Sequence, residues 1–571
     1  MAAALGALLV PLSSWFLAVN RTVTEPYLDE VFHVRQAQVY CQGRFDVWDP
    51  KITTPPGLYL LSYAASGLER LQEKVGLGHQ LLALDCSLTG LRAINVVGVL
   101  LLFFAVRSSY LHRAPVAALE HRGLFEHSAL NVVLFPPLFF FSALYYTDVW
   151  SALSVVASYA FLSKAYRDEY GYWLRTLGLV ALGLVSLMFR QTNIFWITAL
   201  PAGIVLVKEL DCGHQAIRDS MHRKAEGFGD TLYNIAKTSW KMGVIYDPPI
   251  RDAWVDDFAL TTVSITACLL RLLTQPKRVI KLFITLGPYL VLAASFAAFI
   301  IWNGGVVLGD KSNHVATLHA PQMLYLWPFV AFFSWPMLYP YLLLTPVMLL
   351  TWLPVFGALE AVQLFKRSRL LPRLSLAFIA ASVACAVIWG NTIVHPFTLA
   401  DNRHYIFYAF KRLLHPWWVR YAASPIYVLC CWACTQVLGA EPADTQIFAE
   451  TMHGVSRKIP IPDGQHSARI SFALVLVATS ILQLITAPLV EPRYFILPWM
   501  FWRMHVPLRI PVWTSAKGSK WSYKTLWEDY DHRLWFETAW LLLVNAVTGY
   551  VFLYWGFAWP QEPGKVQRFM W

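Results

Sequence analysis

Charge is the scarcest commodity in this chain. Only 14% of its 571 residues are Asp, Glu, Lys or Arg, against about 25% in an average soluble domain. A water-soluble surface of this size cannot be covered with so few charges. Cysteine is also sparse, with eight residues. None stands in the doubled CxxC or Cys/His spacing of a zinc site, so no metal is expected. Cys430, Cys431 and Cys434 lie in an apolar run, where packing is their role. There is no Gly-rich dinucleotide fingerprint, no P-loop and no GxSxG elbow. No internal repeat or low-complexity tract is visible, and the first apolar run lacks the basic leader of a signal peptide.

What is present in excess is apolar. Hydrophobic residues reach 57%, aromatics 15% and mean hydropathy +0.46. A spanning helix needs about 20 apolar residues to cross about 30 Å of hydrocarbon. The 25 Trp and 26 Tyr suit rings seated at the lipid–water boundary. The net charge of +11 resides in a few loops. That pattern fits a cytoplasmic membrane face rather than nucleic acid.

Apolar runs occur at 3–19, 91–106, 131–145, 149–162, 173–188 and 194–207, before a basic stretch at 208–281. Others follow at 282–302, 321–339, 374–394, 425–438, 472–489, 495–506 and 534–557. The Pro-broken stretch 342–364 is a span, a hairpin or an interfacial piece. The expected fold is therefore all-α, one polytopic bundle of about 12–14 spans over residues 1–571. With 208–281 as the cytoplasmic loop, six spans precede it and the first loop, 20–90, is luminal. The run 58–71 is too short to span and is expected as a juxtamembrane helix on that side. Cys41 and Cys86 then share an oxidising compartment in which they can pair.

By the same parity, six polar clusters fall on the luminal face. They are EPYLDEVFH (25–33), WDPKITTPPGLY (48–59), FRQTN (189–193), NGGVVLGDKSNH (303–314), ADNRHY (400–405) and EPRY (491–494). Singly, each has a plain reading. Asp29 is placed to cap the helix that follows, His33 to be a packed histidine, and Arg190 and Arg493 to snorkel from span ends. Gathered at the ends of different spans, they can build a cavity at the membrane boundary. The DxD triplet Asp529-Tyr530-Asp531 has no α/β context and reads as chance. The sequon at Asn20 lies too close to the membrane for modification.

These stretches carry a resemblance. With LYYTD (144–148), RYFILP (493–498) and the final QRFMW (567–571), the chain resembles the dolichyl-phosphate-glucose-dependent α-1,2-glucosyltransferases of the endoplasmic reticulum. The likeness spans almost the full length, in order. Departures lie outside the motifs, in the loops 208–281 and 440–467 and the polar stretch 509–533. The resemblance implies a multispanning GT-C fold in the endoplasmic reticulum membrane with a lumen-facing site. It implies dolichyl-phosphate-glucose as donor and a diglucosylated dolichyl-diphosphate oligosaccharide as acceptor, without cofactor. It also implies a general base in the first luminal loop, which Asp29 matches best and Glu30 neighbours. Substrate contacts are expected from Glu30, His33, Trp48, Tyr59, Arg190, Gln191, Asn193, Asp310 and His314, and from Asp401, Asn402, Arg403, His404, Tyr405, Arg493 and Tyr494. A transporter would instead call for mid-span charges and an inverted repeat. A non-catalytic membrane regulator is a third reading on which these residues are silent.

Overall fold

The computed structural model describes the chain apart from residues 75–83, 115, 213–227, 229–230, 312–316, 344, 352, 354–373, 440–447, 451–455, 459–466, 488, 510–529 and 561. The described residues are helical almost throughout. Their strands are two small hairpins, Phe448–Glu450 with Ser456–Lys458 and Phe557–Ala558 with Val566–Gln567. The expectation of an all-α membrane protein holds.

Five described helices are long and apolar enough to cross a bilayer: Ala2–Thr22 (α1), Leu88–Arg113, Pro276–Asn303, Leu374–Asn391 and Arg533–Tyr554. The pair Leu119–Val133 and Pro136–Ala143 makes a sixth if it acts as one span. It is bent by 64°, where Pro136 and Pro137 remove two helix donors. The straight span expected at 131–145 is thus a broken one. Other expected runs form helices that fall short in length or apolarity, among them Asp148–Arg167, Tyr172–Leu187 and Ile470–Leu484. The run at 495–506 is corrected outright. Its helix, Ile496–His505, has 10 residues and reaches about 15 Å, half the hydrocarbon thickness. Nine of those residues are buried inside the protein. The basic stretch also holds more structure than a loop. It contains the helices Leu232–Met242 and Val255–Leu273, the second an apolar run that Asp256, Asp257 and Arg271 had disguised.

One end of the bundle carries a cap with a small core of its own. The helices Glu30–Cys41 (α2) and Gly57–Lys74 (α3) meet the head of Leu88–Arg113 (α4) there. Val34, Ala37, Tyr40, Leu58, Tyr59 and Tyr145 fill the space between them. Ser87 starts α4 by accepting the backbone N–H of Gly90 at 3.1 Å. Cys41 and Cys86 are joined as a disulfide that ties the end of α2 to the start of α4. Gly57 lets α3 begin hard against the neighbouring chain. Its N–H donates to the Met188 carbonyl at 2.8 Å, and a Cβ would stand 2.5 Å from that oxygen.

Candidate functional site

The turn between α1 and α2 carries two adjacent acids with opposite fates. Glu30 is fully enclosed. It receives Nε and Nη2 of Arg92 at 2.8 and 2.7 Å, the Tyr145 N–H at 2.8 Å and the Tyr27 N–H at 3.1 Å. These four bonds use its lone pairs, so the expectation that Glu30 contacts substrate is not met; its carboxylate holds the cap together. Asp29 sits at the N-cap position yet makes no capping bond. Its side chain is 54% exposed, with one oxygen 3.7 Å from Arg493.

Asp29 opens onto a cleft of 840 Å³. Residues 22–29, 31 and 32 form one wall, and Asp401, Arg403 and His404 with residues 562 and 564–568 form the other. Asp401 accepts Nε and Nη2 of Arg403 at 2.8 and 2.7 Å, and the Arg403 backbone N–H at 2.9 Å. Burial alone would raise the Asp401 carboxyl, but these bonds and the nearby His404 hold it below the usual carboxylate range. The remaining Arg403 fork donates to Gln567 Oε1 at 2.9 Å, and the guanidinium lies 4.7 Å over the Trp559 ring. His404 faces the cleft, its Nδ1 3.2 Å from the Trp571 carbonyl and its Nε2 3.8 Å from Asp401. Backbone bonds from Met570 to Arg403 (2.9 Å) and from Tyr405 to Met570 (3.1 Å) lock the turn to the final residues. Tyr405 packs edge-on to Trp571 with centroids 5.0 Å apart. Asn402 is half-buried beside them.

Arg493 links this cleft to the remaining clusters. It faces Glu491 at 3.0 Å, Asp29 at 3.7 Å and Asp148 at 4.0 Å, above the rings of Phe141 and Tyr146. Burial works against its charge, yet these carboxylates hold its proton well above the ordinary guanidinium range. Arg190 reaches Asp148 from the other side at 3.1 Å. Asn193 accepts from Ser151 at 2.8 Å, and Gln191 donates to the Thr53 carbonyl at 2.7 Å. Asp310 donates its N–H to the Pro50 carbonyl at 2.8 Å. All six clusters therefore meet at one end of the molecule. Not all of them face the cleft. His33 lies under it, 2.6 Å from the Tyr59 hydroxyl, its pKa lowered by burial although Asp29 pulls the other way. Trp48 packs edge-on to the buried Tyr59. Tyr494 serves through its carbonyl, which accepts Gln483 at 2.9 Å. His314 lies outside the described residues. Of the DxD triplet, Asp529 lies outside them too, while Asp531 is buried against Arg533 at 2.8 Å.

A protein-family profile described as the DIE2/ALG10 family matches residues 23–504. The chain belongs to the DIE2/ALG10 family. It is 38% identical to a relative from Aspergillus fumigatus over 99% of this chain and 96% of that one. It is 32% identical to one from Mus musculus over 97% and 95%. Both relatives are named Dol-P-Glc:Glc(2)Man(9)GlcNAc(2)-PP-Dol alpha-1,2-glucosyltransferase. Among solved structures, the Archaeoglobus fulgidus oligosaccharyltransferase complex with Zn and sulfate aligns over 87% of this chain and 53% of its own. Its TM-score is 0.25 at 11% identity, too low to bear on the fold.

In this member of the DIE2/ALG10 family, the structure adds residues that sequence reasoning left out of the site. Asp148 is buried between Arg190 and Arg493. Its signal was present in the LYYTD stretch. Gln567 and Arg568 line the cleft from the far end of the chain, and QRFMW was their only trace. Glu562 and Lys565 also reach the cleft and carried no signal. Among the described residues, no group of three or more His, Cys, Asp or Glu is arranged to hold a metal.

Proposed function

We infer that this protein moves glucose from dolichyl-phosphate-glucose onto a diglucosylated dolichyl-diphosphate oligosaccharide in α-1,2 linkage. It does so as a GT-C enzyme of the endoplasmic reticulum membrane, with the cleft facing the lumen. The observation that carries this reading is the pairing across one cleft of a solvent-open carboxylate, Asp29, with the cation-bearing turn at 401–404. The Cys41–Cys86 disulfide supports an oxidising compartment for this end.

The donor glucose is β-linked to phosphate and the new link is α, so the transfer inverts configuration and needs a single displacement. An acceptor hydroxyl oxygen attacks the anomeric carbon from the face opposite the phosphate. The bond from that carbon to the phosphate oxygen breaks, and the hydroxyl proton passes to Asp29. Glu30 has no free oxygen to compete for it. The lipid phosphate leaves as a stable anion and needs positive charge more than a proton. Arg403 and His404 line the cleft and supply it there. Arg190 is held by Asp148 outside the lining, so it shapes the site through its neighbours. The scheme assigns no step to a metal.

Purified protein in lipid nanodiscs, given dolichyl-phosphate-[¹⁴C]glucose and diglucosylated acceptor, should transfer label into a product cleaved by an α-1,2-glucosidase. Absence of transfer, or equal transfer from a mannosyl donor, would overturn the assignment.

A further inference from the structure

The two acids of the α1–α2 turn are held by opposite devices, and one of these has no part in the chemistry described so far. The Tyr27 hydroxyl donates to the Arg568 carbonyl at 2.8 Å and accepts the Arg568 backbone N–H at 2.7 Å. Both bonds fasten on one residue, 541 positions away. That residue is itself immobilised. The Arg568 guanidinium donates to the carbonyls of Phe552 and Leu553, at the end of one span, and of Thr22, at the end of α1. Three residues past Tyr27, Glu30 is clamped by Arg92. Leu28 lies between these two fixed points in a left-handed conformation, φ +53°. It is one of two non-glycine residues with positive φ among those described. A leucine has no local reason to stay there.

We propose that Tyr27 is the positioning residue of this site, and that its two hydrogen bonds to the Arg568 backbone hold Leu28 in the turn that aims the Asp29 carboxylate into the cleft. The strained turn shows what the clamp does. Were Leu28 to relax to negative φ, α2 would start in another direction and Asp29 would leave the neighbourhood of Arg493. The segment that closes the cleft therefore also sets the angle of the acid opposite it. This inference rests on Asp29 acting as the base.

Transfer kinetics with full-length protein in nanodiscs test it. Tyr27→Phe keeps the ring and loses both bonds. We expect kcat to fall at least tenfold with the donor KM within threefold. We expect the double variant Tyr27→Phe/Leu28→Gly to regain at least threefold of that loss, because glycine adopts positive φ freely. A Tyr27→Phe enzyme within twofold of the parent, a loss expressed in KM alone, or no relief from Leu28→Gly overturns the proposal. Should Tyr27→Phe not accumulate, Arg568→Ala carries the test. It frees the anchored peptide while keeping Tyr27, and a parental kcat there overturns the clamp. Full transfer by Asp29→Asn would instead remove the reading beneath it, whatever Tyr27 does.

Discussion

One short helix, Ile496–His505, has a charge network at each end, and the two are built on different terms. In its last turn, Arg503 places two nitrogens on the two oxygens of Glu537, at 2.6 Å each. Both side chains are fully enclosed, and Asn131 donates to Glu537 at 2.8 Å. Just before its first turn, Arg493 spreads over Glu491, Asp29 and Asp148 at 3.0–4.0 Å. With Arg190, that is two guanidinium groups for three carboxylates, one of them half open to the cleft. Where charges match one for one, both carboxylate oxygens are engaged and the network only holds helices together. Where acids outnumber bases, a carboxylate is left with the capacity to take a proton.

The sharpest break of this comparison is at Asp29. Asp29→Asn should lower transfer by about 10²–10⁴-fold, the usual worth of a positioned base, while the protein still inserts and melts as the parent does. Membrane-fraction assays beside a melting curve would show it. The matched pair should respond in the opposite sense. Glu537→Gln leaves a buried guanidinium uncompensated, so stability should fall by about 3–5 kcal/mol, read as lost yield and a lower Tm. Replacing both partners together, Arg503→Met with Glu537→Leu, should restore most of it.

On the far wall of the cleft the expected loss is smaller. Arg403→Ala should cut kcat by at least about tenfold, since it removes a preorganised charge and frees Asp401. A transfer assay with excess donor would separate this from weaker binding. The smallest effect is a pH dependence. His33 is buried and neutral, with its pKa pushed below the ordinary 6.5. A group lowered in this way contributes its full stability above pH 6.5 and loses it as the pH falls through the folded-state value. Tm should therefore drop on acidification below pH 6.5, and His33→Gln should flatten the slope.

Much of this was visible beforehand. The apolar runs at 3–19, 91–106, 282–302, 374–394 and 534–557 each became a helix fit to span. The six polar clusters were expected on one face; five are bonded to one another, and the 400–405 turn joins them through the final residues, which also bond Tyr27. The pairing of Cys41 with Cys86 was open on parity and is realised. Other features left no periodic trace. The 64° break near Pro136 depends on what the second piece packs against. The helix Val255–Leu273 hides behind three charges. The wall formed by 562–568 joins residues more than 500 positions from Asp29, a distance over which no local pattern speaks.

Composition alone placed this chain in a bilayer, because a surface with so little charge and so many apolar runs cannot be solvated by water. Order and spacing of its motifs told which residues would gather at one end. Only the folded chain showed which of Asp29 and Glu30 faces the cleft. Neighbours on a helix point about 100° apart, so one acid had to turn inward and the other out. Which did so was settled by Arg92, 62 residues away, whose buried charge required a full partner.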